Sequence, residues 1–202
     1  MNYNFSTLPL PLASKRVRAW HDEATPAEIR EGLRWYSEAM DYAKYLSDYF
    51  GTYTTVVCAG VISALSPNNN WERNKIDAFN LLQAHADGLT PDQVKVCTYN
   101  PNKLRAWGIA SGDVQMLRKA RKTHAFALNV GMMDDSVVTI DKWMLRAFLT
   151  TSKQPKELPT SCTPAQYDRL SAHFCKLAKR MGYKPYELQA IIWVVIRNRW
   201  MS

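Results

Sequence analysis

Apolar positions recur at intervals of three and four along most of the chain, which is the spacing of one face of an α-helix. The longest such stretch runs from Glu28 to a stop at Gly51 and predicts one long amphipathic helix. Val137–Ile140 is the one candidate for a short strand. The pattern therefore predicts an almost all-α protein and excludes architectures that alternate strands with helices. The further predicted helices cover 55–65, 71–86, 101–110, 113–119, 123–130, 141–149, 164–181 and the segment after 185.

Three segments, 25–28, 90–93 and 163–166, share a helix-start signature in which Thr is followed by Pro and then by Glu or Gln at the third position. The Thr oxygen and the Glu or Gln side chain can satisfy backbone amides that a helix start leaves unpaired. Residues 1–19 contain Pro9, Pro11 and several basic residues, and we expect an extended arm there.

The chain has 202 residues, of which 47 % are apolar, so it can bury a substantial core. We expect a single domain over 1–202, with one lobe at about 55–150 and a second lobe from about 20–54 plus 160–202. The longest apolar run, Ala190–Ile196, is far too short to span a bilayer, so no membrane partner is expected.

The four cysteines lack the close spacing of zinc or iron–sulfur ligands, so the sequence predicts no metal and no cofactor. Cys58 and Cys175 fall in helical apolar patterns, and we expect both thiols to be buried. This usage favours a reducing, cytoplasmic setting.

The net charge is +8, from 26 Lys and Arg against 18 Asp and Glu, which favours a polyanionic partner and nucleic acid first. A basic enzyme with no nucleic-acid role is the alternative. Two short helices around a tight turn can direct backbone amides at a phosphate, and side-chain cations strengthen that attraction; a solvated basic helix face is the other interpretation. The cations concentrate between residues 100 and 124, at Lys103, Arg105, Arg118, Lys119, Arg121 and Lys122.

Asp141 follows the apolar run and precedes a predicted helix, which leaves two roles open. Asp is a favoured N-cap, because its carboxylate accepts hydrogen bonds from unpaired helix amides. A carboxylate fixed in this way is also what cleavage of a glycosidic bond needs, since positive charge builds on the sugar as the bond breaks. The same group can orient or deprotonate the attacking water.

The segment Lys122–Asn129, followed by Val138–Asp141, resembles the helix-hairpin-helix and catalytic-Asp signature of the DNA glycosylase superfamily. In that family a Lys-Thr pair opens the second helix of the hairpin, and a Val-Asp sequence follows a little under twenty residues later. Val61–Ser66, with the polar loop and Asn74 behind it, is similar to the first helix-loop of the family. The resemblance covers about residues 55–150 and implies a two-lobed, all-α bundle of the helix-hairpin-helix DNA glycosylase type.

The chain departs from the family pattern at the hairpin and after the Asp. Arg118 and Ala120 stand where the family hairpin usually has glycines, so DNA contact would depend more on side chains. Lys142 and Trp143 follow the Asp, where the family often has His or a small polar residue. The cysteine array of the iron–sulfur branch is missing. These departures indicate a divergent member.

The resemblance also implies roles for individual residues. Asp141 would be the catalytic carboxylate, and Lys122 matches the amine that attacks the sugar in members with lyase activity. Base flipping needs stacking faces and a filler for the gap in the duplex. The candidate pocket residues are Trp71, Trp143 and His124, and the candidate fillers are Asn68 and Asn69. The candidate phosphate contacts are Lys103, Arg105, Arg118, Lys119 and Arg121. Core packing or turn formation is the alternative for each aromatic and each Asn.

The sequence thus predicts a DNA N-glycosylase that removes a modified or damaged base in DNA repair or DNA modification. Two alternatives are open. The first is an enzyme of this fold that modifies a base in DNA without releasing it, as relatives of the fold do in viral DNA. The second is a non-catalytic DNA- or protein-binding module on the same scaffold.

Overall fold

The computed structural model describes residues 5–118, 120–151 and 158–201. Over these residues it consists of nine α-helices and two 3₁₀ turns, with no strand, which confirms the all-α fold class. None of the described helices has both the length and the apolarity needed to cross a bilayer. The helices are α1 (Leu10–Asp22), α2 (Pro26–Phe50), α3 (Thr55–Leu65), α4 (Trp71–Ala86), α5 (Asn100–Ala110), α6 (Arg121–Met132), α7 (Lys142–Leu149), α8 (Pro164–Arg180) and α9 (Pro185–Met201), and the 3₁₀ turns are Pro91–Gln93 and Val114–Leu117.

The three Thr-Pro signatures all form capping boxes. Thr25 accepts from the backbone N–H of Glu28 at 3.2 Å, and its own N–H donates to the Glu28 carboxylate at 2.9 Å. Thr163 and Gln166 repeat this arrangement at the start of α8. The box at Thr90 opens only the 3₁₀ turn Pro91–Gln93, because a capping box stabilises the start of a helix and does not set its length.

The prediction of an extended arm over residues 1–19 was wrong, since α1 begins at Leu10. Pro9 is the N-cap residue and Pro11 lies in the first turn, where a helix needs no N–H donor, so neither proline opposes the helix. Burial of one helix face, at Ala13, Val17 and Trp20, stabilises it.

The chain folds into two compact units: unit 1 is Met1–Tyr36 with Asp135–Ser202, and unit 2 is Ser37–Asp134. These bounds differ from the lobes drawn from the sequence, at 55–150 and at 20–54 plus 160–202. In unit 1, α1, α7, α8 and α9 enclose an apolar core that includes Phe148, Phe174 and the run after Leu188. The last helix contributes Leu188, Ile192, Val195 and Ile196 to this core.

In unit 2, α3 is buried along Cys58–Leu65 and packs against α4, α5 and α6. Close approach of these helices depends on small residues. A Cβ on Gly131 of α6 would lie 2.9 Å from the Cβ of Ala59, and a Cβ on Gly60 would lie 2.9 Å from the side chain of Ile109.

The two cysteines expected to be buried differ. Cys58 is fully buried, and burial raises the pKa of its thiol to about 12. Cys175 is only half-buried, so its expected burial was wrong. It lies on the amphipathic helix α8, where the side chain sits at the edge of the apolar face, not at its centre.

Candidate functional site

Asp141 is the N-cap of α7, in unit 1, as the sequence predicted for one of its two roles. Its backbone is extended, and its Oδ1 accepts from the backbone N–H of Trp143 at 3.0 Å and of Met144 at 2.9 Å. The residue is half-buried and keeps part of its surface open to solvent. A negatively charged carboxylate is thereby fixed at a helix N-terminus.

Two tyrosines lie close enough for the Asp141 charge to act on them. Burial raises the pKa of Tyr36 and of Tyr167, and the negative charge of Asp141 raises both further. Both phenols are therefore neutral hydrogen-bond donors near neutral pH. The Tyr36 hydroxyl donates to Oε1 of Gln189 at 2.7 Å and also bonds the Thr139 side chain.

The Tyr167 hydroxyl supports the segment that leads into Asp141. It donates to the carbonyl of Val138 at 2.9 Å and accepts from the N–H of Ile140 at 3.2 Å. The predicted strand candidate Val137–Ile140 belongs to no sheet within the described residues. The Tyr167 phenol supplies hydrogen bonds to two backbone groups of this segment that a neighbouring strand would otherwise supply.

Arg146, about one turn into α7, packs against two indole rings that also contact each other. Its guanidinium carbon is 5.0 Å from the ring centroid of Trp143 and 4.7 Å from that of Trp200. Burial lowers the pKa of Arg146, and the Asp141 charge opposes that shift. Its Nε is buried and has no hydrogen-bond partner among the described residues. Trp143 is thus a partly buried stacking face that contacts Arg146, Trp200 and the Lys142 ammonium.

The predicted hairpin lies in unit 2, between the 3₁₀ turn Val114–Leu117 and α6. The Ala120 N–H donates to the carbonyl of Leu117 at 2.8 Å, and the Thr123 hydroxyl donates to the carbonyl of Ala120 at 3.0 Å. Ala120 is the N-cap of α6 and supplies no side-chain cap. Arg118 and Arg121 are exposed at this turn, Lys122 is half-buried, and Lys119 lies outside the described residues.

Two further predicted phosphate contacts, on α5, bond other groups in the protein. Lys103 Nζ donates to the carbonyl of Val94 at 3.1 Å, and Arg105 donates to Oδ1 of Asn102 at 3.3 Å. Both side chains are half-buried. Each of these two cations therefore has a hydrogen-bond partner within unit 2.

The Asn loop between α3 and α4 holds the candidate gap fillers. Asn69 donates to the buried carboxylate of Asp77 at 2.9 Å, which ties it to the interior of unit 2. Asn68 is exposed, adopts a left-handed backbone with φ of 58°, and donates to the Tyr99 hydroxyl at 3.4 Å. Of the two, Asn68 is the one that projects from the loop.

Trp71 and His124 are the other predicted pocket residues. Trp71 packs edge-on against Tyr42, with ring centroids 6.4 Å apart. His124 follows the hairpin on α6 and, together with Arg118, lines a cavity of about 150 Å³. Both residues belong to unit 2, whereas Asp141 and Trp143 belong to unit 1.

The sequence did not predict Tyr36, Arg146 and Tyr167, which interact with the Asp141 charge, or Thr139 and Gln189, which bond Tyr36. Two of these residues could have been noticed in the sequence. Gln189 interrupts an otherwise apolar helix, and Thr139 interrupts an apolar run. A buried polar side chain needs a hydrogen-bond partner, so each interruption indicates a polar contact in the core. In the described part of the chain, no three His, Cys, Asp or Glu side chains group in a way that could hold a metal ion.

A family model matches nearly the whole chain. The family of unknown function DUF7178 matches residues 8–200. The chain belongs to the DUF7178 family. No curated protein and no solved structure matches this DUF7178 chain. The matched range includes Asp141 and the hairpin, so both candidate features fall inside the DUF7178 region.

Proposed function

We propose that this DUF7178 protein is a DNA N-glycosylase-like enzyme with a two-lobed bundle of the helix-hairpin-helix glycosylase type, in which Asp141 acts on the sugar of a modified or damaged nucleotide. The observation that carries the proposal is the Asp141 carboxylate itself. Its Oδ1 is fixed by two backbone N–H groups of α7, while the residue stays partly open to solvent.

A fixed anion favours glycosidic cleavage because it needs no reorganisation when positive charge appears on the sugar. In the proposed reaction the bond between C1′ and the base nitrogen breaks, and its electron pair leaves with the base. A water oxygen then bonds C1′ as its proton passes to Asp141. The carboxyl proton returns to solvent, and the departed base takes up a proton.

Two neutral phenols near the carboxylate support this role by keeping its surroundings ordered. Tyr36 and Tyr167 are neutral phenols near pH 7, and burial and the Asp141 charge both raise their pKa values further. The hydrogen bond from Tyr36 to Gln189 fixes one phenol, and the two bonds of Tyr167 to backbone groups fix the other. The Tyr167 bonds order the backbone that leads into Asp141, and the α7 amides then hold its Oδ1 in one geometry.

A DNA partner is supported by the net charge of +8 and by the exposed cations Arg118 and Arg121 at the hairpin. Lys122 adds a half-buried amine at the same turn. DNA affinity that falls steeply with salt concentration is expected, since each neutralised phosphate releases counterions. A flat salt dependence would remove DNA as the partner.

The central test separates capping from catalysis by comparing Asp141→Asn with Asp141→Ala. Asn caps a helix about as well as Asp, so Asp141→Asn should keep the free energy of unfolding within about 0.5 kcal/mol of wild type. Asp141→Ala should lose about 1 to 2 kcal/mol, because two amides lose their acceptor. Base release should fall on the order of a thousandfold in both variants.

The assay incubates the full chain with oligonucleotide duplexes that each carry one modified or damaged base, and mass spectrometry detects the freed base. Thr163→Ala is a matched control, because it removes an N-cap from α8 in the same unit and should leave base release unchanged. Turnover retained in Asp141→Asn would reject the proposal. Intact glycosidic bonds with a changed base mass would instead identify the base-modifying alternative.

A separate arm tests the predicted lyase role of Lys122. If the Lys122 amine attacks C1′, borohydride reduction traps a covalent adduct with DNA that Lys122→Gln does not form. Absence of the adduct in an enzyme that still releases base would restrict the reaction to hydrolysis by water.

A further inference from the structure

A basic cavity in unit 1 surrounds a hydrogen-bonded Ser and His that the proposed reaction does not use. The cavity has a volume of about 700 Å³ and lies between α1 and α8. This is within the range of small-ligand sites in proteins. Leu10, Ala19 and Leu177 supply apolar surface, and Lys15, Arg18 and Arg180 supply positive charge.

The Ser14 hydroxyl and the His173 ring form a hydrogen-bonded pair in the wall of this cavity. Ser14 Oγ lies 2.7 Å from His173 Nε2. The ring also donates to the backbone carbonyl of Leu10. In the neutral tautomer that carries its proton on Nδ1, Nε2 has the lone pair and accepts the Ser14 hydroxyl proton.

Positive charge faces this pair from both helices. From α1 the charged side chains are Lys15, Arg18 and the opposing Asp22, and from α8 they are Arg169, Lys176 and Arg180. Arg169 bonds the carbonyls of Phe5 and Leu8, at 2.7 and 2.9 Å, which fixes the segment before α1 against α8. The remaining cations outnumber Asp22, which lies 3.6 Å from the His21 ring.

We propose that this cavity binds a tetrahedral oxyanion of the phosphate class, with Ser14 and Arg180 as direct contacts and His173 as the group that controls the Ser14 hydroxyl. When His173 is protonated, Nε2 becomes a donor to Ser14 Oγ, and the Ser14 proton turns toward the ligand. An anion in the cavity also favours the charged imidazole. Anion binding and His173 protonation therefore strengthen one another, as linkage requires.

The surroundings of His173 keep the ring neutral when no anion is bound. Burial lowers the pKa of His173, and the charges of Arg169, Lys176 and Arg180 lower it further, against the opposing effect of the Leu10 carbonyl. A bound anion would offset the repulsion from those cations. We therefore expect binding to take up a proton and to strengthen as the pH falls through the His173 titration.

Two sources can supply this ligand chemistry, namely the phosphodiester backbone of DNA and a free phosphate-type anion. The probes are sodium sulfate and a short oligothymidylate, because neither changes its charge between pH 5 and pH 8. NMR follows the His173 ring of the full chain at constant ionic strength. His173→Gln assigns that signal among the four histidines.

Binding should raise the titration midpoint of His173 by on the order of one pH unit. Arg180→Gln should weaken binding on the order of tenfold, as expected when one charge-assisted hydrogen bond is lost. Lys179→Gln is the matched control, because it removes one charge from the same last turn of α8 and does not line the cavity. Ser14→Ala should weaken binding most at low pH, where the released hydroxyl contributes.

A midpoint that moves with both probes assigns the cavity to DNA backbone, and one that moves with sulfate alone assigns it to a free anion. If neither probe moves the midpoint, or if Lys179→Gln weakens binding as much as Arg180→Gln does, the proposal is overturned. Asp141→Asn should leave the effect of sulfate on the His173 midpoint intact. The anion site and the proposed glycosylase activity can therefore fail independently, and the two failures can be told apart.

Discussion

Replacing Glu28 by Gln tests an ion pair that joins the first turn of α2 to the end of α9 in unit 1. The Glu28 carboxylate accepts from both terminal nitrogens of Arg199, from Asn198 at 3.0 Å and from the N–H of Thr25 at 2.9 Å. The residue is only 7 % exposed. A charge this buried and this well bonded should make a measurable contribution to folding.

The lowered pKa of Glu28 sets the size of its contribution to the free energy of unfolding. The hydrogen bonds from Arg199 lower the pKa of Glu28 from 4.5 to about 2, against the opposing effect of burial. At roughly 1.4 kcal/mol per pKa unit, the ionised carboxylate stabilises the fold by about 3 kcal/mol. A lowered carboxyl pKa means that this stability is present above pH 4.5 and is lost as the pH falls toward 2.

Urea unfolding at pH 7 and pH 3 measures the effect. Glu28→Gln should lower the free energy of unfolding by about 3 kcal/mol at pH 7 and by less than half of that at pH 3. Glu31→Gln is the control, since Glu31 pairs with Arg197 of α9 at 3.2 Å but is about half exposed, so its loss should cost under about 1 kcal/mol. A Glu28→Gln deficit that is equal at both pH values would refute this reasoning.

Two further substitutions probe contacts within unit 1. A Cβ on Gly32 would lie 2.6 Å from the backbone of Ile191, so Gly32→Ala should lower the urea midpoint by the equivalent of about 1 to 3 kcal/mol. Helix propensity alone predicts the opposite, a gain in stability. An increased midpoint would therefore contradict the close approach. Tyr167→Phe leaves the Val138 carbonyl and the Ile140 N–H without their phenol partner. It should lower the free energy of unfolding by about 2 kcal/mol and speed hydrogen exchange at the Ile140 amide. Unchanged exchange would count against the role of the phenol in bonding both groups.

The helix boundaries show how far local sequence determines this fold. Capping boxes at Thr25 and Thr163, and the stop at Gly51, fall where the sequence predicted them, because these signals act within a few residues of one backbone segment. The error at α1 came from reading Pro9 and Pro11 as helix breakers, when their position at a helix start makes them compatible with it.

The candidate site also combines a feature that local sequence determines with features that it does not. Asp141 could be placed at a helix start from its neighbours in sequence, and its capping role is confirmed, while its catalytic role stays a prediction. Its surroundings could not be derived, because Tyr36 and Gln189 meet across more than a hundred residues of chain. Nothing local to Tyr36 distinguishes it from the apolar residues that share its face of α2.

The sequence by itself determined the helical class, most helix limits and the position of Asp141, since periodicity and capping depend on neighbours a few residues apart. Tertiary structure alone decided which polar groups meet: the phenols beside Asp141, the Glu28 ion pair with Arg199, and the Ser14–His173 pair between α1 and α8. The physical reason is that a buried polar group must find a partner, but many distant residues can supply one, and only the packing of the helices selects among them.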